Sequence, residues 1–273
     1  MDIAQLRIRL AEAKGVLVDL ESGLLAGQDV ARGAAALASA ADERLVLLSD
    51  NSTHTPHEFS ALLAVAGLTV APHRIVLAGA LAIDLLAEER PGARVLLLAN
   101  NSLCAYARRR GLRVADDRPD VVLVAQDTDL DYARLQAAAR AISLGAALIA
   151  TSAERSRSDN DGVPTPGAGA LVAALCAAVP SARPRIIGKP KPHLFRAALD
   201  ILDVTPAQAL VISDDPDIAD AGAAAAGIPC LIIDSLSGTT SRAYATGPLP
   251  HRRTPRPAAF LRTDWQNQLA ASP

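Results

Sequence analysis

The chain has 273 residues, half of them hydrophobic but only 3% aromatic, and a formal charge of −2. That length admits one large or two modest domains with an aliphatic core, and the near-neutral charge excludes a global attraction to nucleic acid or acidic membranes. Three scattered cysteines (Cys104, Cys176 and Cys230) make neither a disulfide framework nor a thiolate metal site, which suits a reducing cytosol. The first fifteen residues lack the pattern of a signal peptide. No uninterrupted apolar run reaches the ~18 residues of a membrane span. A cytoplasmic protein is expected, with no membrane and no nucleic acid among its partners.

Two patterns alternate along the chain. Short apolar runs predict buried parallel strands at Gly15–Leu20, Leu45–Ser49, Arg74–Leu77, Ala93–Ala99, Val121–Ala125, Ala147–Thr151, Arg185–Gly188, Ala209–Ser213 and Cys230–Ile233. Between them, Ala/Leu/Arg stretches with helical spacing predict helices at Asp29–Ala41, Pro56–Ala66, Leu103–Arg110, Tyr132–Ser143, Ala168–Ala178 and Pro192–Leu202. Strands alternating with helices indicate βαβ units and an α/β fold built on parallel sheet. Leu236–Arg256 is rich in Gly, Pro, Ser, Thr and Arg and reads as a loop or arm, followed by a short terminal element ending near Leu269. Its arginines (Arg252, Arg253, Arg256) fit a solvated tail better than a nucleic-acid contact.

Some local patterns admit a sharp and a plain reading. Gly167-Ala168-Gly169 before a helix lacks the third glycine of a dinucleotide fingerprint and reads as a tight turn. Asp127, Asp129 and Asp131 could suggest a metal loop, but charge at a helix N-terminus explains them better. His54 and His57 read as residues near a helix start, whereas His193, just after a lysine motif, could edge a pocket.

In doubly wound sheets ligands bind beyond the carboxyl ends of the strands. The first strand delivers Asp19, then Glu21. The second ends at Ser49, followed by Asp50 and Asn51. A later loop carries Lys189, and the strand Ala209–Ser213 leads to Asp214, with Asp215 and Asp217 beyond. Each alone reads as a cap or a solvated charge. Together, in this order, they match phosphoryl transfer through an aspartyl-phosphate, in which a carboxylate attacks phosphorus and its neighbours neutralise the phosphate. Asp19 and Asp214, with the backbone carbonyl of Glu21, would hold Mg²⁺. Ser49, with Asp50 and Asn51 after it, would hold the phosphate oxygens through its hydroxyl and nearby backbone N–H groups at a helix start. Lys189 would balance the negative charge, and the residue two after the nucleophile, Glu21, would serve as acid and base.

These residues resemble the four motifs of the haloacid dehalogenase superfamily, in its p-nitrophenylphosphatase-like branch (class IIA). The motifs are Val18-Asp19-Leu20-Glu21, Leu48-Ser49-Asp50-Asn51-Ser52, the run from Gly188-Lys189-Pro190 to Phe195, and Val211-Ile212-Ser213-Asp214. A further match runs from Asp161-Gly162 to Val172. The resemblance implies a Rossmann-like doubly wound parallel sheet core from residues 1–81 and 183–273, with an α/β cap inserted at 82–182. It implies Mg²⁺-dependent hydrolysis of a small phosphorylated metabolite, with Asp19 as nucleophile, and a homo-oligomer. The cap would select the substrate, and glycerol phosphate, phosphoglycolate, pyridoxal phosphate and nucleotides are all compatible.

The chain departs from the family pattern at several positions. Glu21 stands where the family has Asp, which lengthens the side chain by roughly 1.5 Å, and misplacement on that scale can cost ~100-fold in rate. Ser22-Gly23 replaces a Gly-hydrophobic pair. Asp50 replaces the usual Asn. Ala219 stands at the second acid of the fourth motif, and Thr151-Ser152 replaces a Thr-Asn pair in the cap. These departures leave open a working phosphatase, a fold that has exchanged turnover for a binding or regulatory role, and another chemistry of the same fold, such as phosphoryl transfer to an acceptor other than water.

Overall fold

The computed structural model describes residues 3–20, 25–26, 29–30, 34–158, 163–213, 218–232 and 244–245. The first part of the chain forms α1 (Ile3–Glu12), β1 (Gly15–Asp19), β2 (Leu25–Ala26), β3 (Asp29–Val30), α2 (Ala34–Ala41), β4 (Leu45–Ser49), α3 (Pro56–Val65), β5 (Ile75–Leu77) and α4 (Ala78–Glu89). The middle part follows with β6 (Arg94–Leu98), α5 (Asn101–Arg109), β7 (Arg113–Val114), β8 (Val121–Val124), α6 (Tyr132–Ser143), β9 (Ala147–Ala150), β10 (Ser156–Ser158), β11 (Pro164–Pro166), α7 (Ala168–Ala178) and β12 (Arg185–Ile186). Last come α8 (His193–Leu202), β13 (Ala209–Ser213), α9 (Ala224–Ala226), β14 (Cys230–Ile232) and β15 (Tyr244–Ala245). None of the described helices is long and apolar enough to cross a membrane.

Two main sheets result. The first has strand order β15-β14-β13-β1-β4-β5. It is parallel except for the last pair, where Ile232 lies opposite Tyr244 in antiparallel register. From β1 the chain moves outward to β4 and β5, then returns to β13 and proceeds the other way to β14. The strand order thus reverses between β1 and β13, and the crevice beyond their carboxyl ends is where an open α/β sheet takes its ligand. The second sheet, β12-β9-β8-β6-β7, is parallel throughout. The expected α/β, Rossmann-like class is therefore the observed one.

Side chains alternate across each sheet, as the pleat requires. In the first sheet Val16, Val18, Leu45 and Leu47 pack on one face with Leu37, Phe59 and Leu63 of α2 and α3. Leu17, Val46 and Leu48 point to the other, against Leu194, Phe195 and Ala198 of α8. Strands buried on both faces read as continuous apolar runs, which is why the sequence marks them so plainly. The second cluster does not stop at the first sheet. It continues through Ala82, Ile83 and Leu86 of α4 to Val95, Leu97, Val121 and Leu123 of the second sheet. Leu96, Leu98, Val122 and Val124 face the other way, onto α6 and α7.

Every expected strand is present to within two residues at either end. The expected helix Asp29–Ala41 is corrected: Asp29–Val30 pairs with Leu25–Ala26 as a short hairpin, and the helix starts at Ala34. Helices α1 and α4 were not expected. Helix α4 begins at Ala78 directly from the last residue of β5, and Leu77 supplies no side-chain cap, so no turn residue announces it. Strand β12 hydrogen bonds to β9 at the edge of the second sheet, so that sheet extends to Ile186. The expected arm Leu236–Arg256 lies outside the described residues apart from Tyr244–Ala245, which form β15. The terminal element near Leu269 lies outside them altogether.

Candidate active site

Strand β1 ends on Asp19, only 1% exposed, at the reversal of strand order. The parallel ladder sets Asp19 beside Leu48, so Ser49 at the end of β4 is its neighbour. Lys189 arrives from the loop that follows β12 and donates from Nζ to Asp19 Oδ1 at 2.6 Å. Both groups are buried, Lys189 being 7% exposed. A carboxylate and an ammonium withdrawn from water must be paired or strongly hydrogen bonded. This contact, between residues 170 positions apart, brings two of the four expected motifs together.

Ser49 is 2% exposed, and its Oγ accepts from the Asn51 backbone N–H at 2.9 Å. Asn51 closes an Asx turn: its Oδ1 accepts from the N–H groups of Thr53 (3.1 Å) and His54 (3.0 Å). The segment then enters α3 through a capping box, in which Thr55 Oγ1 accepts from Glu58 N–H and Glu58 Oε2 accepts from Thr55 N–H. Burial would raise the Glu58 carboxyl, but the donors on it, led by the Ser102 hydroxyl and Thr55 N–H, hold it below the usual carboxylate value. His54, beside Thr53 Oγ1 and edge-on to Phe59, belongs to this helix entry.

Asp50 reaches the other way. Its Oδ1 accepts from the Lys189 backbone N–H at 2.9 Å, and its Oδ2 accepts from Ser152 Oγ at 3.3 Å. Gly188 makes this approach possible. A Cβ there would fall 2.3 Å from the Thr151 carbonyl oxygen and 2.7 Å from Asp50 Oδ1. The Asp50 carboxylate thus fastens the lysine loop to the end of β4. Asn51 spends its side chain on the turn.

The second sheet meets the same segment along its own strand ends. After β6, Asn100 Nδ2 donates to the Thr53 carbonyl at 2.6 Å, and the Ser102 hydroxyl donates to Glu58. After β8, Gln126 N–H donates to Ser52 Oγ at 3.1 Å. After β9 comes Ser152. Residues 50–58 are therefore gripped by three successive strand ends of the second sheet. None of these partners stood out in the sequence except Thr151-Ser152, and that pair only through the family pattern. The aspartates after β8 have structural work: Asp127 pairs with Arg134 at 2.6 Å, and Asp131 caps α6 by accepting from Arg134 N–H at 2.7 Å. His193 opens α8, and burial first, then Arg185 and Arg196, lower its ring's affinity for a proton.

The other two expected site residues, Glu21 and Asp214, lie outside the described residues, as do Ser22, Gly23, Asp215 and Asp217. Among the described residues no group of three or more His, Cys, Asp or Glu is gathered to hold a metal. Asp19 is a described carboxylate at the crevice, and it is an oxygen donor of the kind that hard divalent cations prefer.

Comparison with known proteins places the chain in a family. The profile of the haloacid dehalogenase-like hydrolases matches residues 13–226. The chain is 32% identical over 264 residues to D-glycerol 3-phosphate phosphatase of Mycobacterium tuberculosis, covering 94% of this chain and 73% of that protein. It is 30% identical over 211 residues to an acid sugar phosphatase of Staphylococcus haemolyticus, covering 75% of this chain and 80% of the relative. Among solved structures, the glycerol phosphate phosphatase of M. tuberculosis in complex with magnesium superposes with a TM-score of 0.75 at 32% identity, over 82% of this chain and 68% of that one. A p-nitrophenyl phosphatase from Archaeoglobus fulgidus gives 0.75 at 25% identity, over 81% and 86%.

Proposed function

The chain belongs to the haloacid dehalogenase-like hydrolases, and we propose that it is a Mg²⁺-dependent phosphatase of a small phosphorylated metabolite, with Asp19 as nucleophile. The observation that carries this reading is the buried contact of Lys189 Nζ with Asp19 Oδ1 at 2.6 Å, set at the reversal of strand order. The names of the relatives support a polyol phosphate or a sugar phosphate as the substrate.

In this reading an Asp19 carboxylate oxygen attacks phosphorus and the bond to the substrate oxygen breaks. Glu21 gives a proton to that leaving oxygen, then takes one from the water that cleaves the aspartyl-phosphate and restores Asp19. Lys189 holds Asp19 in place and offsets the charge of the phosphate brought beside it. The Ser49 hydroxyl and the backbone groups that follow it bind the non-reacting oxygens. Asp19, the Glu21 carbonyl and Asp214 would hold Mg²⁺, which when bound supplies positive charge against the phosphate. The second sheet, with residues 82–182 at its heart, is the cap. Its strand ends lie against residues 50–58, so the loops after β6, β8 and β9 are in place to exclude water and choose the alcohol part of the substrate.

The test is phosphate release from glycerol 3-phosphate and a panel of small sugar phosphates, with Mg²⁺ and with chelator. Release from at least one of them, abolished by chelation, is expected. No release from any substrate in the presence of Mg²⁺ would sink the proposal in favour of a binding role.

A further inference from the structure

The Lys189 loop runs between two bodies of structure. Up to Gly188 it belongs to the second sheet: Ile187 N–H donates to the Ala150 carbonyl at 2.9 Å, and Gly188 N–H to the Thr151 carbonyl at 2.8 Å. At the next residue the acceptor changes, and Lys189 N–H donates to Asp50 Oδ1 of the first sheet. On the same carboxylate, Oδ2 accepts from Ser152 Oγ, which in turn accepts from Glu154 N–H at 3.1 Å. The hydrogen bonds form a path from Glu154 through Ser152 to Asp50, then to Lys189 and on to Asp19. Every step is polar, and Asp50 is the point on this path at which the two sheets meet.

We propose that Asp50 is a positioning residue: its two carboxylate oxygens pin the lysine loop on one side and the Thr151–Glu154 loop on the other. Lys189 is thereby held on Asp19 only while the second sheet is docked. The inference rests on the phosphatase reading for its kinetic consequence, though not for its structural one. It also gives Asp50 work that a carboxylate beside a bound phosphate could not do by ligation, since two anions repel. An asparagine could make both contacts, because its amide oxygen accepts from Lys189 N–H and its amide nitrogen donates to Ser152 Oγ. Hydrogen-bond geometry, more than charge, is what the position requires.

The chain has three lysines, Lys14, Lys189 and Lys191. Lys14 and Lys191 are exposed and Lys189 is buried, so the two exposed amines are internal references. The experiment follows acylation of each amine by acetic anhydride, read peptide by peptide by mass spectrometry, in wild type, Asp50→Asn, Asp50→Ala and Ser152→Ala. Asp50→Ala should raise labelling of Lys189 relative to Lys14 and Lys191 by about tenfold, Ser152→Ala should raise it severalfold, and Asp50→Asn should leave it within about twofold. Kinetics with p-nitrophenyl phosphate and Mg²⁺ supply the second readout: kcat should fall about tenfold or more in Asp50→Ala with KM little changed, and recover in Asp50→Asn.

Unchanged Lys189 labelling in Asp50→Ala would overturn the proposal, as would Asp50→Asn behaving like Asp50→Ala. If Asp50→Ala does not fold, Ser152→Ala decides, since labelling equal to wild type there would sever the path. Should no variant turn over substrate, the phosphatase reading fails while the labelling still judges Asp50.

Discussion

Replacing Lys189 by arginine keeps the charge but not the shape. The guanidinium is a planar fork and the ammonium a compact point, and the pocket around Lys189 leaves it 7% exposed. Lys189→Arg is expected to lower kcat/KM by about 100-fold, measured on any substrate the enzyme accepts; activity within threefold would show that the contact with Asp19 needs only charge. At Thr151 the expected change has the opposite sign. Among the described residues its buried hydroxyl finds no hydrogen-bond partner, and an unsatisfied buried hydroxyl costs about 1–3 kcal/mol. Thr151→Val, nearly the same shape, should raise the unfolding free energy by about 1 kcal/mol in urea titration. A loss of stability would mean that the hydroxyl is satisfied.

At this scale the sequence shows what sits at a strand end but not whom it touches. Asp19, Ser49 and Lys189 are legible because an apolar run followed by a polar residue is a one-dimensional pattern. The bond of Asp50 to Ser152, 102 positions away, depends on how closely two segments pass at Gly188, and no spacing encodes that.

Two elements carry their own tests. Helices α4 and α5 are joined by Asp84, which accepts from the Tyr106 hydroxyl at 2.9 and 3.0 Å and pairs with Arg110 Nε at 2.6 Å. Burial lifts the Asp84 carboxyl above its ordinary value of 3.8 in spite of these partners, and the same burial, with Asp84 beside it, lifts the Tyr106 hydroxyl. A raised folded value means that the folded state keeps a proton the unfolded chain has released. Stability contributed here is therefore present at low pH and lost as pH rises from 3.8 through the raised value. Asp84→Asn should flatten that part of the stability–pH profile; an unchanged slope would assign it elsewhere. In the lysine loop, Gly188→Ala would drive a methyl group into the Thr151 carbonyl and Asp50. Thermal melts should show a loss of about 1–3 kcal/mol, with Lys189 displaced from Asp19.

The element level also shows what sequence patterns conceal. Strands buried on both faces declare themselves, whereas α4 does not, because it leaves β5 without a turn residue or a side-chain cap. The run Gly167-Ala168-Gly169 is explained by packing: a Cβ on Gly169 would fall 2.2 Å from the Ala153 carbonyl oxygen. The glycine thus serves close approach at the entry to α7.

Across the whole molecule, one apolar cluster runs from Leu17 and Val211 of the first sheet through Ile83 and Leu86 of α4 to Val95 and Leu123 of the second. The two sheets therefore share a core and are expected to unfold in a single transition. Ile83→Ala, at a fully buried position, should cost about 2–5 kcal/mol and shift that transition as a unit; two separated transitions in the calorimeter would show the second sheet to be an independent body. The α/β class follows from sequence alone. The division between the sheets is harder to see, because β12 closes the second sheet although the loop it feeds serves the first.

Whether Asp19 attacks phosphate is decided by phosphate release from p-nitrophenyl phosphate with Mg²⁺ in wild type and in folded Asp19→Asn, with Glu21→Asp alongside. With Asp19 as nucleophile, release is expected in wild type, none above background in Asp19→Asn, and activity in Glu21→Asp at least equal to wild type. Release that survives in Asp19→Asn, or silence in all three proteins, would contradict it.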